Sequence, residues 1–247
     1  MSIEIITPDW PASPNIKVAS TTRAGGVSVS PYDSFNLADH VGDDPAAVET
    51  NRQLLVNTLS LPSSPVWLKQ VHGNAVIDVG SHPDNETVYE ADASYTTRAG
   101  VVCAVMTADC LPVLMCDRQG SQVAAVHAGW RGLTAGVIEA TVRSLTCAAA
   151  DLLVWLGPAI GQQHFAVGDE VRELFVAHDS TAEVAFTSRG DAKWLADIHQ
   201  LAWQRLVSIG VENIFGGGEC SYENTGKFYS YRRDGPTGRM ASLIWMD

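Results

Sequence analysis

Two histidines and a cysteine are the residues of this 247-residue chain whose types and neighbours best suit chemistry. His72 ends the strand-like run Lys-Gln-Val-His-Gly, and His127 lies in Val-His-Ala-Gly-Trp-Arg-Gly. Cys110 lies between them in Thr-Ala-Asp-Cys-Leu-Pro, where polar residues interrupt an apolar stretch. Strand ends that enter tight turns expose reactive side chains, and buried polar groups need a bonding partner. These three positions are therefore candidate functional residues.

Two imidazoles and one thiolate form a donor set that suits Zn²⁺ and leaves a fourth coordination position for water or substrate. Such an open zinc site can activate a water for attack on an electrophilic carbon. The separations of His72, Cys110 and His127 match no compact zinc signature, so isolated core or surface residues remain the alternative from spacing alone.

Several arginines lie beside glycine or close together. Arg23 precedes Ala-Gly-Gly, and Arg131 lies in Gly-Trp-Arg-Gly. Arg232, Arg233 and Arg239 crowd the segment 229–240. Guanidinium groups next to glycine-rich backbone commonly bind phosphate or carboxylate, although any single one is well explained as a solvated turn residue.

Composition limits the classes of function. The chain has 16 Lys+Arg against 28 Asp+Glu, a formal net charge of −12. Nucleic acids and anionic membranes bind proteins through basic faces, so neither partner is expected here. The chain has five cysteines, an odd number without a Cys-x-x-Cys pair, which predicts reduced thiols. Without a basic, apolar leader or a membrane-length apolar run, we expect a cytoplasmic protein.

Hydrophobic periodicity predicts a mixture of strands and helices. Short apolar runs bounded by Gly, Asp or Pro predict strands at 16–20, 66–71, 75–79, 101–108, 112–116, 122–128, 152–156, 213–215 and 242–245. A period of 3.6 residues predicts helices at 132–145, 191–209, Pro45–Leu59 and Asp169–His178. Consecutive strands mixed with isolated helices indicate an α+β or mixed-sheet α/β fold, in one domain over residues 1–247.

Eight motifs in order make the chain resemble the YfiH family, also described as a laccase-domain or multicopper polyphenol oxidase-like family. They are Thr-Thr-Arg-Ala-Gly-Gly, Ser34-Phe35-Asn36-Leu37, Lys-Gln-Val-His-Gly, Ala91-Asp92-Ala93, Thr-Ala-Asp-Cys-Leu-Pro-Val, Val-His-Ala-Gly-Trp-Arg-Gly, Gly157-Pro158-Ala159-Ile160-Gly161 and Phe228-Tyr229-Ser230-Tyr231-Arg232-Arg233-Asp234. They extend over essentially the whole chain. Two departures concern substrate preference: Gln162-Gln163-His164 follows Gly161 where proline is frequent, and Glu223 stands where some members carry a second cysteine.

The resemblance implies a single four-layer α/β/β/α domain with two mixed sheets, similar to the catalytic domain of cytotoxic necrotising factor. It implies zinc ligands at His72, Cys110 and His127 and phosphorolysis of adenosine, inosine, guanosine and methylthioadenosine, with adenosine deamination at the same site. The implied partners are a purine nucleoside and phosphate, and we expect a monomer or weak oligomer.

The oxidase description of the family fails a ligand count. A blue copper centre with a trinuclear cluster needs around ten His and Cys ligands, largely in His-x-His pairs. The chain has seven histidines and none of them forms such a pair. A single Cu²⁺ at the zinc site could still give weak oxidation, because Cu²⁺ outcompetes Zn²⁺ at nitrogen and sulfur ligands.

Roles in the implied reactions can be assigned by chemistry. Deamination needs a carboxylate to shuttle protons. Asp109, beside Cys110, is our candidate, with Asp92 in reserve; a structural carboxylate that orients a ligand imidazole is an equally good interpretation of Asp109. Phosphorolysis needs guanidinium groups to hold the attacking phosphate, and Arg23 and Arg131 are our candidates.

Three further residues are expected to contact the ribose or the base edges: Asn36, Gln70 and Tyr231. The sequence assigns no role to Arg232, Arg233 or Arg239.

Two other functions remain open. Cys110 could be a thiolate nucleophile with His127 or His72 as its base, as in Cys-His hydrolases and amidases. The family's association with peptidoglycan editing would then imply a cytosolic muropeptide precursor as substrate. The other alternative is a metal-binding or adaptor protein without turnover, against which the open coordination position counts.

Overall fold

The structure is a computed structural model that describes residues 3–81 and 88–247. Its strands are β1 (Ile5–Ile6), β2 (Ile16–Thr21), β3 (Leu68–Lys69), β4 (Val76–Asp78), β5 (Tyr89–Glu90), β6 (Ala93–Thr96), β7 (Cys103–Thr107), β8 (Leu111–Asp117), β9 (Val123–Ala128), β10 (Leu152–Leu156), β11 (Ala166–Gly168), β12 (Phe186–Gly190), β13 (Lys193–Ala196), β14 (Asn213–Gly216) and β15 (Met240–Met246). Its α-helices are α1 (Pro45–Leu59), α2 (Trp130–Thr134), α3 (Val137–Ser144), α4 (Asp169–His178), α5 (Ile198–Ser208) and α6 (Tyr231–Asp234). Short 3₁₀ helices cover Ala149–Asp151, Gln162–His164 and Ser180–Ala185.

The strands form two large and two small sheets. One large sheet has the order β1-β2-β15-β7 and is antiparallel throughout. The other has the order β14-β10-β8-β9-β6-β4 and mixes antiparallel pairs with the parallel pairs β10/β14 and β4/β6. The small sheets are β11-β13-β12 and β3-β5. The mixed α+β class is therefore confirmed, with only one of the two large sheets mixed.

Alternation of side chains along the strands produces four layers. On β7, Ala104 and Met106 pack in the cluster that contains Leu55 of α1, whereas Cys103 faces the six-stranded sheet. On β8, Leu114 packs in the same inter-sheet cluster as Cys103. The outer face of the six-stranded sheet packs against α3, α4 and α5. The layer order is α/β/β/α, as expected, while the similarity to the cytotoxic necrotising factor domain stays a prediction.

Two helices have the bounds that the sequence predicts. For α1 the reason is local: the Asp44 side chain accepts a hydrogen bond from Ala46 N, Pro45 occupies the first turn, and Ser60 ends the helix with φ 49°. Helix α4 also matches its predicted range of Asp169–His178. Within the described ranges, no helix has both the length and the apolar character needed to cross a bilayer.

Three predictions of secondary structure are wrong in detail. The predicted helix 132–145 is divided into α2 and α3 by Gly136, which has φ 83°. The first part of the predicted helix 191–209 is strand β13, because its residues pair with β11 and β12 and the Asp197 side chain caps α5 at Gln200 N. The predicted strand 66–71 is reduced to the two residues of β3.

We expect Leu114→Ala to lower the free energy of unfolding by about 2–5 kcal/mol, because Leu114 is fully buried between the two large sheets and its loss leaves a cavity. Urea unfolding followed by fluorescence measures the change. Val184→Ala is the control, since Val184 is 73% exposed and its truncation should change stability by no more than about 0.5 kcal/mol. Equal effects of the two substitutions would contradict the layer assignment.

Candidate metal centre and cavity

Strand pairing and two tight turns bring the three candidate residues together. Pro112 of β8 pairs with His127 of β9, so Cys110, just before β8, lies close to His127. His72 lies in the turn after β3 with φ 62°, a left-handed conformation that is uncommon for residues other than glycine. The His72 and His127 rings meet edge to face with centroids 4.8 Å apart, and Cys110 Sγ lies 3.9 Å from His72 Nε2.

The buried carboxylate of Asp92 fixes both histidines. Its Oδ1 accepts hydrogen bonds from His127 Nδ1 at 2.7 Å and from His72 N at 2.9 Å. Its Oδ2 accepts from Gly73 N at 2.7 Å and from Val71 N at 3.2 Å. Because Asp92 occupies Nδ1 of His127, the other ring nitrogen of His127 is the one available to a ligand.

The charges of this group favour a thiolate beside an imidazolium. Burial opposes ionisation of Cys110, but His127 and then His72 lower the pKa of the Cys110 thiol to about 6. Burial likewise opposes charge on His127, yet the Cys110 thiolate and Asp92 raise the pKa of His127. By contrast, burial raises the pKa of both Cys103 and Cys116 to about 12.

The donor set fits a divalent metal. Within residues 3–81 and 88–247, His72, Cys110 and His127 are the one group of three His, Cys, Asp or Glu side chains whose ligand atoms all lie within 4.8 Å of one another. Nitrogen and thiolate ligands of this kind bind zinc, and a carboxylate behind a ligand histidine is its usual support. A Cβ on Gly129 would lie 2.9 Å from Cys110 Sγ, so glycine is needed beside the ligand.

The group faces a cavity of about 520 Å³. The cavity is lined by His40, Gln70, His72, Met106, Thr107, Ala108, Asp109, Cys110, His127, Trp130, Arg131, Ile160, Phe165, Ile198, Tyr231, Arg232 and Arg239. One chamber therefore combines a group that could hold a metal ion, three guanidinium groups and apolar walls, and its volume is in the range of small-molecule sites.

Four predicted site residues outside the metal group lie on this lining: Gln70, Asp109, Arg131 and Tyr231. The Gln70 amide is bonded to the backbone of Met106, through Nε2 to the carbonyl at 2.8 Å and through Oε1 to the amide at 2.7 Å. The Asp109 carboxylate accepts hydrogen bonds from Ser221 Oγ and from Arg232 N.

The structure does not place Arg23 on the cavity lining, contrary to our expectation. Its guanidinium donates to the backbone and carboxylate oxygens of Asp33 and to Thr225 O, and it lies over the Tyr229 ring at 4.7 Å. These contacts join two distant loops, so Arg23 stabilises the fold here.

Asn36 is also absent from the lining. It is fully buried, where Nδ2 donates to Ala38 O and Asp43 Oδ2, and Oδ1 accepts from Ala38 N and Arg239 N. Asn36 therefore holds the backbone of a cavity arginine in place.

Among the ionisable residues of the cavity lining, sequence reasoning missed three. Arg239 and Arg232 belong to the arginine-rich segment 229–240, whose crowding was the available signal. Burial lowers the pKa of Arg239, and the nearby charges of Cys110 and Asp109 oppose that shift. His40 lies in a loop, and nothing in its neighbourhood in the sequence distinguished it.

Comparison with known proteins shows the family to which the chain belongs. A family described as "Multi-copper polyphenol oxidoreductase laccase" matches residues 17–247. The chain belongs to this family. A Shigella flexneri protein named purine nucleoside phosphorylase YfiH is 56% identical over 98% of this chain and 99% of its own length, and a Pseudomonas aeruginosa purine nucleoside phosphorylase is 53% identical over 98% of each.

Solved structures of family relatives have the same fold. A Neisseria meningitidis protein superposes with a TM-score of 0.95 at 45% identity, covering 98% of this chain and 99% of its own. A Bacillus licheniformis hypothetical protein YfiH superposes with a TM-score of 0.87 at 29% identity, covering 94% and 93%. Resemblance to the YfiH family, inferred from motifs, is thus confirmed.

We expect Asp92→Asn to weaken zinc binding by roughly 10–100-fold, because an amide cannot accept the four hydrogen bonds that orient His72 and His127. Competition with a chromophoric chelator measures the affinity. Asp44→Asn is the matched control, since Asp44 caps α1 away from the cavity and asparagine caps helices equally well. Unchanged zinc affinity in Asp92→Asn would contradict the role of Asp92.

Alkylation of Cys110 by iodoacetamide in metal-stripped protein should follow a titration with its midpoint near pH 6, because the thiolate is the reactive form and its fraction rises as pH passes the lowered pKa. His127→Ala should move the midpoint upward. Mass spectrometry locates the adduct, and added zinc should protect Cys110. Reaction that begins only above about pH 8 would show an ordinary thiol.

Proposed function

We propose that the protein is a zinc-dependent purine nucleoside phosphorylase acting in the cytoplasm. Adenosine, inosine, guanosine and methylthioadenosine are its proposed substrates, and adenosine deamination is a second reaction of the same site. The names of its relatives support the phosphorylase activity. The observation that carries the proposal is that a metal-binding group and three arginines line one cavity.

Phosphate is the co-substrate that the arginines suit. Phosphorolysis requires the phosphate to be held against C1′ of the ribose while the purine leaves, and oriented guanidinium groups do this. Arg131 and Arg239 are our candidates, with Arg232 beside them. Arg131 lies over the Trp130 ring at 4.3 Å, and Arg239 Nη1 donates to Thr237 O and Gly238 O, so both guanidinium groups are oriented before phosphate arrives.

The nucleoside fits the apolar part of the cavity. Phe165, Ile160 and Ile198 offer the flat and branched surfaces that a purine ring packs against. Tyr231, 59% exposed, is the candidate for hydrogen bonding to ribose or base. Gln70 lines the cavity, but both polar atoms of its amide are already bonded to the backbone of Met106. We therefore propose that Gln70 holds the cavity wall in place and does not bind the substrate.

His72, Cys110 and His127 would hold the zinc ion. When bound there, zinc supplies a Lewis acid that polarises an oxygen of the bound ligand. Asp92 keeps His127 in the tautomer that presents its free nitrogen, and Gly129 leaves room beside the thiolate. Cu²⁺ is the other ion that this donor set binds.

A second function is favoured by the Cys110 thiol and its neighbour His72. The lowered pKa of Cys110 and its 3.9 Å separation from His72 Nε2 match an activated nucleophile of a Cys-His hydrolase. Such an enzyme would act without metal and would cleave an amide, with a muropeptide precursor as the substrate class.

Incubation with adenosine, with and without phosphate, separates the reactions. We expect adenine only when phosphate is present, with a smaller yield of inosine from deamination. Elemental analysis of the purified protein should give one zinc per chain. Metal-free protein that forms neither product and is alkylated quickly at Cys110 would favour the hydrolase, and metal-loaded protein without turnover would favour an adaptor.

Two variants test the site in the same assay. Cys110→Ala should lose both zinc and turnover while keeping its circular dichroism spectrum, because it removes the thiolate ligand. Arg239→Ala should raise the KM for phosphate by roughly tenfold or more, as expected for loss of a charge-assisted contact. Arg189→Ala, in the exposed hairpin of β12, is the control. Activity that survived Cys110→Ala would contradict the site assignment.

A further inference from the structure

Asp109 occupies a strained position directly before Cys110. It lies in the tight turn between β7 and β8 with φ 95°, where a residue other than glycine is uncommon. A backbone conformation of this kind persists only when surrounding contacts hold it in place. The contacts of Asp109 are therefore informative about what the turn does.

Those contacts join three separate segments of the chain. Asp109 Oδ1 accepts a hydrogen bond from Ser221 Oγ at 2.7 Å, and Oδ2 accepts from Arg232 N at 2.6 Å. The carbonyl oxygen of Asp109 accepts from Ile160 N at 3.0 Å. Asp109 thus connects the turn that carries Cys110 directly to the loop after β10, the loop after β14 and the start of α6.

Each joined segment contributes to the cavity or supports a wall of it. Ile160 lies on the lining, and so do Tyr231 and Arg232 of α6. Arg233 donates from Nη1 to Ser221 O at 2.9 Å, which ties α6 to the loop of Ser221 a second time. The wall with Tyr231 and Arg232 is thus anchored to the residue next to the metal-binding cysteine.

We propose that Asp109 is a positioning residue that sets the separation between the metal-binding end of the cavity and the wall of α6. The effect on catalysis rests on the phosphorylase function proposed above. The geometric claim does not, because it concerns contacts within the chain.

The directions of the hydrogen bonds favour a positioning role. Both carboxylate oxygens accept hydrogen bonds from protein groups, and one of these donors is a backbone amide that cannot turn away. The carboxylate is thus directed at Ser221 and at the first turn of α6, and each of its oxygens is already bonded to one of these segments. The carboxylate is therefore suited to holding the wall, and its adjacency to Cys110 is what transmits that position to the metal group.

Asp109→Asn and Asp109→Gly separate the two roles. Asparagine tolerates the positive φ and keeps both bonds, since its amide oxygen can accept from Arg232 N and its amide nitrogen can donate to Ser221 Oγ. Glycine accepts the backbone conformation without strain but removes the carboxylate. Both variants thus lose the negative charge of Asp109, but only Asp109→Gly also loses the hydrogen bonds to Ser221 and Arg232.

If Asp109 positions the wall, Asp109→Asn should keep kcat within about threefold of wild type. Removing an acid–base group would instead lower kcat by roughly 10²–10⁴-fold. Asp109→Gly should raise the KM for phosphate and lower kcat/KM by roughly 100-fold, as expected for a displaced wall. A proton carrier would instead lose kcat in both variants with KM unchanged, and that result would overturn the proposal.

Hydrogen exchange gives a readout that does not depend on activity. The Arg232 amide should exchange at least about tenfold faster in Asp109→Gly and at the wild-type rate in Asp109→Asn. Zinc affinity should fall in the glycine variant only. If Asp109→Gly does not fold, Ser221→Ala removes one of the same contacts and should show a smaller increase in Arg232 exchange.

The outcomes distinguish the two proposals. Wild-type protein that does not phosphorolyse nucleosides would overturn the proposed function, while the exchange and zinc measurements would still decide the role of Asp109. Unchanged Arg232 exchange in both Asp109→Gly and Ser221→Ala would overturn the positioning role whatever the reaction is.

Discussion

The buried carboxylate of Asp92 is the constraint on which the site depends. A charge without water needs donors, and leaving one unpaired costs several kcal/mol. Asp92 finds its donors in His127 and in the successive amides of the turn 71–73. Although burial works against the charge, these donors lower the pKa of Asp92. The turn that carries His72 cannot move without breaking this arrangement, so one carboxylate fixes the His127 imidazole and the backbone of His72.

Strand pairing places Asp92 and Cys110 on either side of His127. Ala93 begins β6, whose partner β9 carries His127, and β9 in turn pairs with β8 beside Cys110. Register between three neighbouring strands therefore determines the spacing of the ligands. Two residues of the site with positive φ, His72 and Asp109, lie in the turns outside these strands. Within the site, backbone strain is thus confined to these turns, where carboxylate hydrogen bonds hold it, and β6, β8 and β9 keep regular pairing.

The sequence could predict features that local chemistry determines. Helix α1 was predictable because Asp44, Pro45 and a buried apolar stripe act within a few residues. The segment 191–196 was not, because Trp194 and Leu195 fit a helical period as well as a strand, and pairing with β11 and β12 decided between them. The three metal-binding candidates were found because each lies at a strand end beside polar or glycine neighbours.

Whether an arginine side chain points into the cavity could not be predicted from its neighbours in the sequence. Arg23 and Arg131 have similar glycine-rich neighbours, yet Arg23 bonds to Asp33 and Thr225 whereas Arg131 lines the cavity. Long-range contacts between loops settle that choice. The same holds for Asn36, which supports Arg239 from more than 200 residues away in the chain. Residue type and neighbourhood identified arginine-rich segments, but only the fold could assign individual arginines.

The coordination set explains how a family described by copper oxidation can include proteins named nucleoside phosphorylases. Two imidazoles and one thiolate could hold one divalent ion, and within the described ranges no other His, Cys, Asp or Glu completes a larger group with them. The seven histidines of the chain include no His-x-His pair of the kind that a trinuclear copper cluster uses. Replacing zinc by copper at this single site would leave the cavity walls unchanged. Those walls contain Arg131, Arg232 and Arg239. Guanidinium groups have no part in electron transfer from a phenol, whereas they match an oxyanion in charge and geometry. The cavity is therefore better suited to a phosphate co-substrate than to oxidation of a phenol.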